Sequence, residues 1–114
     1  MGKGQGTDRG KIRPLSFRLE FRPEAAADIL SAAGWYEARH AGLGARFAHA
    51  VRDRTEELLR EPLLPRIRDL ARNVRWVFPA PFPYRIIYRV AGNVVLVIGV
   101  IHAARHDREW KKRA

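Results

Sequence analysis

Residues 94–110 read VVLVIGVIHAARHDREW. The first half is an almost uninterrupted run of Val, Leu and Ile, of strand length, and needs cover on both faces. The second half is His102, Arg105, His106, Arg108 and Trp110. A strand apolar on both sides belongs at or near the centre of a sheet, so its far end should emerge beside the cations.

The residues just before this run supply its partner. Tyr84, Ile86, Tyr88 and Val90 alternate with Arg85, Ile87 and Arg89, the period of a strand. Ala91-Gly92-Asn93-Val94 between the two reads as a tight hairpin with Gly at the first central position, as a type II′ turn prefers. With Gly92 and Asn93 as the loop, Arg89 pairs with Leu96, Ile87 with Ile98, Arg85 with Val100 and Pro83 with His102. Paired residues share a face, so this register predicts Arg85, Arg89 and His102 as a row of cations on one side. Tyr84, Ile86 and Tyr88 take the other side, which is the better one for packing helices.

Upstream, Val74, Trp76 and Phe78 alternate with Arg75 and Val77, and PAPFP (79–83) is a proline-stiffened turn. Two helical patterns precede them. PEAAADILSAAGWYEARH (23–40) opens on Pro23, favourable at the first helical position, and places Ala26, Ile29, Leu30, Ala33 and Tyr36 on one stripe. LGARFAHAVRDRTEELLRE (43–61) carries Leu43, Phe47, Val51 and Leu58 on one face and a Glu56–Arg60 pair on the other, and Pro62 and Pro65 end it. Gly42 and Gly44 join the two as an antiparallel hairpin. Leu15, Phe17, Leu19 and Phe21 alternate with polar residues as an N-terminal strand. The expected architecture is α+β: one strand, a two-helix antiparallel hairpin, then a three-stranded antiparallel meander, with the helices on one face. Residues 14–114 form the domain, and residues 1–13, rich in Gly, Lys and Arg, a flexible basic tail.

Composition narrows the function. The chain has 114 residues, 22 Lys and Arg against 12 Asp and Glu, and a formal charge of +10. Such a surface attracts polyanions or an acidic protein. With no cysteine there is no disulfide, thiolate site or cysteine nucleophile. The N-terminus lacks the apolar core of a secretory signal and no apolar run approaches the ~20 residues of a membrane span. The expectation is a cytoplasmic protein that does not engage membranes. His and carboxylates show no ligand spacing, so neither metal nor cofactor is expected.

The chemistry-bearing residues admit two readings. His102 can donate or accept a proton, with Arg85 and Arg105 holding a phosphate. Equally, His102 can cap a strand end while arginine stems cover apolar surface. His106 and Arg108 read as a solvated end. Trp110 either folds back onto the sheet or meets a partner. Trp35 lies off the main helical stripe and is available to a partner helix.

FRPEAAADI, GLGARFAHAV, FPYRIIYRV and VLVIGVIHAARHDREW, spanning residues 15–110, together resemble the RelE/ParE family of toxins from bacterial type II toxin–antitoxin modules, which includes plasmid-stabilization proteins. The resemblance implies a growth-arresting toxin neutralised by a cognate antitoxin in a hetero-oligomer that reaches DNA only through that antitoxin. RelE-like members cleave mRNA on the ribosome, and ParE-like members act on DNA gyrase. If this chain were a ribosome-dependent endoribonuclease, the resemblance would give the catalytic roles to His102, Arg85 and Arg105. Its C-terminal aromatic is Trp110, which exchanges no proton, and no Lys lies between Lys11 and Lys111. These departures favour the ParE-like branch. For antitoxin or target binding the expected residues are Arg75, Arg85, Arg89, Trp35 and Trp110. A third reading, a plain nucleic-acid-binding module, is disfavoured because Tyr84 and Tyr88 alternate away from Arg85 and Arg89, so no stacking platform with interleaved charge forms.

Overall fold

The computed structural model describes residues 16–114; the expected basic tail, 1–13, lies outside them. The elements are β1 (Arg18–Phe21), α1 (Pro23–Arg39), α2 (Leu43–Leu58), β2 (Arg75–Val77), β3 (Tyr84–Ala91), β4 (Val94–His102) and α3 (Arg108–Lys111). The strands form one sheet in the order β1-β4-β3-β2. β1 runs parallel to β4, and the last three strands form the antiparallel meander. The fold is the α+β arrangement expected from the sequence, and β4 is interior to the sheet.

The helical layer covers one face. Ala25, Ala32, Phe47, Val51 and Leu58 pack against Val77, Ile86, Tyr88, Val95, Val97 and Val100. The Tyr88 hydroxyl is buried in this layer and donates to the Pro62 carbonyl at 2.7 Å. Burial pushes its ionisation up to about 12, so it stays a donor at any physiological pH. The helical hairpin closes tightly at Gly44, where a Cβ would meet the Ala33 carbonyl at 2.5 Å. Glu37, near the end of α1, accepts from the Gly42 and Gly44 N–H groups and so caps α2 from the neighbouring helix. Those two donors hold the Glu37 carboxyl below its ordinary range.

Two sequence expectations on α1 and α2 are corrected. Ala26 and Leu30 do not join the buried stripe: Ala25 and Ala32 are buried while Leu30 is 75% exposed. Asp28 sets this rotation by accepting from the Val100 N–H at the edge of β4. Leu30, about 200° further round the helix, therefore points outward. On α2 the ion pair formed is Arg54–Glu57 at 3.0 Å, because the helix stops at Leu58 and Arg60 lies beyond its regular turns.

The hairpin turn forms as expected, with Gly92 at φ 59°, and Ala91 faces Val94 while Arg89 faces Leu96. The register then shifts by one residue between Tyr88 and Ile87. Beyond it Ile87 faces Gly99, Arg85 faces Ile101 and Tyr84 faces His102, in place of the expected Ile98, Val100 and Pro83 partners. The cause is a β-bulge at Ile98-Gly99, where two residues of β4 oppose one of β3. An isolated glycine inside a strand pattern is the sequence mark of such a feature.

The bulge lies just past the point where β1 stops pairing with β4, so β4 carries free backbone groups there. Two side chains satisfy them. Asp28 takes the Val100 N–H at 3.0 Å, and Arg113 donates to the Ile98 carbonyl at 3.2 Å. The two side chains also pair with each other at 2.7 Å, and both are mostly buried. The hydrogen bond to Asp28 is the main reason the Arg113 guanidinium is held above its ordinary range. Gly99 leaves room for this guanidinium: a Cβ would lie 3.0 Å from Arg113 Nη1. Hydrogen bonds to charged groups contribute about 1.5–3 kcal/mol each. Asp28→Ala is therefore expected to cost roughly 2 kcal/mol in denaturant unfolding, and Arg113→Ala added to it should cost much less than Arg113→Ala alone.

Candidate functional site

The outer face of the sheet is not the open row of cations that the simple register predicted. Val74, Ile87, Ile98, Ile101 and Trp110 form a second core there, with Trp76 and Leu96 packed at its border. α3 folds back and seats Trp110, 1% exposed, against the sheet with its ring 5.9 Å from Trp76. Of the two readings of Trp110, packing back is the one observed. This also explains why the 94–110 run is followed by charge: the polar residues are the solvent side of the segment that covers the strand.

Arg85 lies under this cover. It is 6% exposed, stacks 4.8 Å from the Trp76 ring, and donates to Asp107 Oδ1 at 2.8 Å and to the Arg105 carbonyl at 3.1 Å. Trp110 Nε1 donates to the same Asp107 oxygen at 3.3 Å. The Arg85 hydrogen bond, helped by Trp110, holds the Asp107 carboxyl below its ordinary range against the opposing effect of burial. Arg85 is thus committed to tying the tail to the sheet. Arg75 is on the other face: it pairs with Tyr88, and its Nε donates to the Pro65 carbonyl at 2.8 Å. Arg89 stays on the outer face beside Leu96 and is partly exposed. Arg68, which sequence reasoning did not single out, lies 5.0 Å over Trp76.

The bulge sends His102 to the helical side of the sheet, away from Arg85. There a cleft of about 570 Å³ opens between α1, the end of β4 and the C-terminal segment. Trp35, Tyr36, Tyr84, His102 and Arg105 line it. The expected residues His102, Arg105 and Trp35 are therefore brought together, while Arg75, Arg85, Arg89 and Trp110 are not among its lining. Trp35 is 51% exposed, with Arg39 held 3.5 Å from its ring. His102 stacks edge-on to Tyr84 at 5.2 Å, and its Nδ1 accepts the Ala104 N–H at 3.0 Å. That contact assigns the proton of a neutral imidazole to Nε2 and is the strand-end cap read from the sequence. His106 caps the next turn in the same way through the Arg108 N–H.

Both arginines of the cleft face carboxylates: Arg105 lies 3.8 Å from Glu109, and Arg113 is the partner of Asp28. The charge of the cleft is therefore balanced, and its walls are aromatic. A larger depression of about 780 Å³ lies between α2 and the Phe78–Phe82 turn, where Arg46, Arg54 and Arg60 share the lining with Asp53, Glu56 and Glu57 and Arg54 pairs with Glu57. Among the described residues no group of three or more His and carboxylates could hold a metal ion, and no helix is long and apolar enough to cross a membrane.

Comparison with known proteins identifies the family and the fold. The family described as ParE toxin of type II toxin-antitoxin system, parDE, matches residues 19–107. The chain belongs to the ParE toxin family. A solved structure titled "Chromosomal ParDE TA system from P. aeruginosa" superposes with a TM-score of 0.58 at 18% identity, covering 75% of this chain and 95% of that one. At that identity the likeness is one of fold. No curated protein matches the sequence. The matched segment includes all of β1 except Arg18, both long helices, the meander and Asp107, but ends before Trp110 and Arg113.

Two outcomes test the tail's role. Trp110→Ala should lower stability by about 3–5 kcal/mol, the usual cost of emptying a large aromatic site, read by thermal or denaturant unfolding. Because the Asp107 carboxyl is depressed in the folded state, its contribution is present above the unfolded value near 4 and lost as pH falls through the lower folded value. Asp107→Asn should therefore be less stable than the parent at pH 7, with the gap closing below about pH 4.

Proposed function

We propose that this ParE-family toxin arrests bacterial growth by acting on DNA gyrase, and that a cognate antitoxin neutralises it by forming a hetero-oligomer in the cytoplasm. The observation that carries the gyrase reading over mRNA cleavage is the charge balance of the cleft. A site that cleaves a phosphodiester needs surplus positive charge where the phosphorane develops, together with a positioned acid and base. Here Arg105 and Arg113 are each opposed by a carboxylate, and Arg85, expected beside His102 and Arg105, is buried on the other side of the sheet. His102 spends one nitrogen on a backbone N–H. Aromatic walls with balanced charge suit a protein surface better than a polyanion.

Of the residues expected to bind antitoxin or target, Trp35 and Arg89 carry exposed surface that a partner can touch. Arg85 and Trp110 act from beneath, by fixing the tail that shapes that surface, while Arg75, partly exposed like Arg89, holds the loop through the Pro65 carbonyl. Contact with DNA is indirect, through the antitoxin.

Purified protein is expected to inhibit gyrase-catalysed supercoiling of a relaxed plasmid, and its controlled expression to leave transcript ends unchanged. Ribosome-phased cuts in mRNA, with supercoiling unaffected, would replace this reading by the endoribonuclease one.

A further inference from the structure

Between α2 and β2 the chain makes an excursion, residues 59–74, that none of the site above uses. Its sequence, LREPLLPRIRDLARNV, exposes apolar side chains to an unusual degree. Leu64 is 79% exposed, Leu70 81%, Leu63 43% and Ile67 36%. Single exposed leucines are ordinary; four within eight residues of one loop form a concentration that calls for cover.

The loop is not loosely held. It is fixed at four places by bonds to the sheet or within the turn. The Tyr88 hydroxyl donates to the Pro62 carbonyl at 2.7 Å, and Arg75 Nε to the Pro65 carbonyl at 2.8 Å. Asp69 and Val74 form an antiparallel bridge, and Asn73, at φ 56°, donates its amide to the Val90 carbonyl at 3.2 Å. Pro62 itself is fully buried. The leucines are thus presented on a preorganised frame, which spares a partner the cost of ordering them. Leu64 also edges a groove of about 360 Å³ against the end of α2, which Leu58 and Pro65 help to line.

The charge around this apolar patch selects its partner. Arg60, Arg66, Arg68 and Arg72 lie on this excursion against Glu61 and Asp69, which leaves it net positive, and Asp69 is engaged by Arg72 at 3.1 Å. A chain of formal charge +10 gains nothing by covering this patch with a second copy of itself. We infer that residues 60–70 form a docking surface for an acidic, amphipathic segment of the antitoxin, its apolar side chains over Leu64 and Leu70 and its carboxylates toward Arg60 and Arg66. The inference rests on the toxin–antitoxin reading above. It adds a contact surface apart from the His102 cleft.

The test uses the full chain and the purified product of the antitoxin gene co-transcribed with it, titrated calorimetrically. Leu64→Ser with Leu70→Ser changes only exposed atoms and should leave the melting temperature unchanged, while weakening antitoxin binding by about 30-fold or more. Arg60→Ala with Arg66→Ala should weaken binding less, and flatten its dependence on salt. If the parent binds tightly and both variants bind within about threefold of it, the docking surface is wrong and the toxin–antitoxin reading stands. If the Leu variant keeps antitoxin affinity but loses gyrase inhibition, the loop belongs to the target and the assignment is overturned. Failure of the parent itself to bind the antitoxin would remove the reading on which the surface depends.

Discussion

The carboxylate of Asp28 and the guanidinium of Arg113 hold together three parts of the chain that share no regular hydrogen-bond ladder. β1 pairs with only the first half of β4. Past Val97 the strand has no neighbour on that side, and its backbone polar groups would be left without partners between helix and tail. A charged pair from opposite ends of the sequence fills the gap, one member accepting the Val100 N–H and the other donating to the Ile98 carbonyl. The same contact fixes the rotation of α1 and anchors the residue just beyond Trp110. Remove it and the bulge, the helix face and the tail each lose a constraint together.

The bulge has consequences that reach the surface. With an unbroken ladder, His102 would share a face with Arg85 and Arg89, and the outer sheet would present cations in line. One extra residue separates them. His102 joins Tyr84 in an aromatic cleft, and Arg85 is left to bind Asp107 and the Arg105 carbonyl under the returning tail. Two of the arginines singled out from the sequence, Arg75 and Arg85, are thus engaged with the chain's own carbonyls and carboxylate. The positive charge that remains outward is spread over the helices (Arg39, Arg46, Arg52), the C-terminal segment (Arg108, Lys111, Lys112) and the 59–74 loop.

Much of this was legible in the sequence. Alternation in 84–90 and 94–101 placed the two long strands, Gly92-Asn93 placed their turn, and two helical patterns with glycines between them placed the hairpin. The site was less legible for a specific reason: face assignments propagate along a strand with period two, so one unrecognised bulge at Gly99 reversed everything beyond it. Gly99 was the available signal. The Asp28–Arg113 contact had no local signal at all, since nothing in the composition of either segment marks partners so distant in sequence. Trp110 was ambiguous from sequence because burial depends on whether a four-residue helix returns to the sheet, and that return also uses the Asp107 and Arg113 contacts, whose partners lie far away in sequence.

The contrast between the two sheet faces bears on how such a toxin can be both stable and available. A small domain buries a limited core, and here both faces of the sheet are used, one by α1 and α2 and the other by α3 and Trp110. Covering both faces leaves little of the sheet's apolar interior for a partner to recognise. What remains open around the sheet is Trp35 at the cleft mouth, Leu30 on α1, Arg89 on the uncovered part of the outer face, and the leucines of the 59–74 loop. Trp35 on α1, Arg89 on β3 and the loop leucines belong to separate segments, which leaves the loop and the cleft open to different partners. Neutralisation would not require the two to compete for a single residue set; a segment bound at the loop need only continue toward the cleft to deny it to the target.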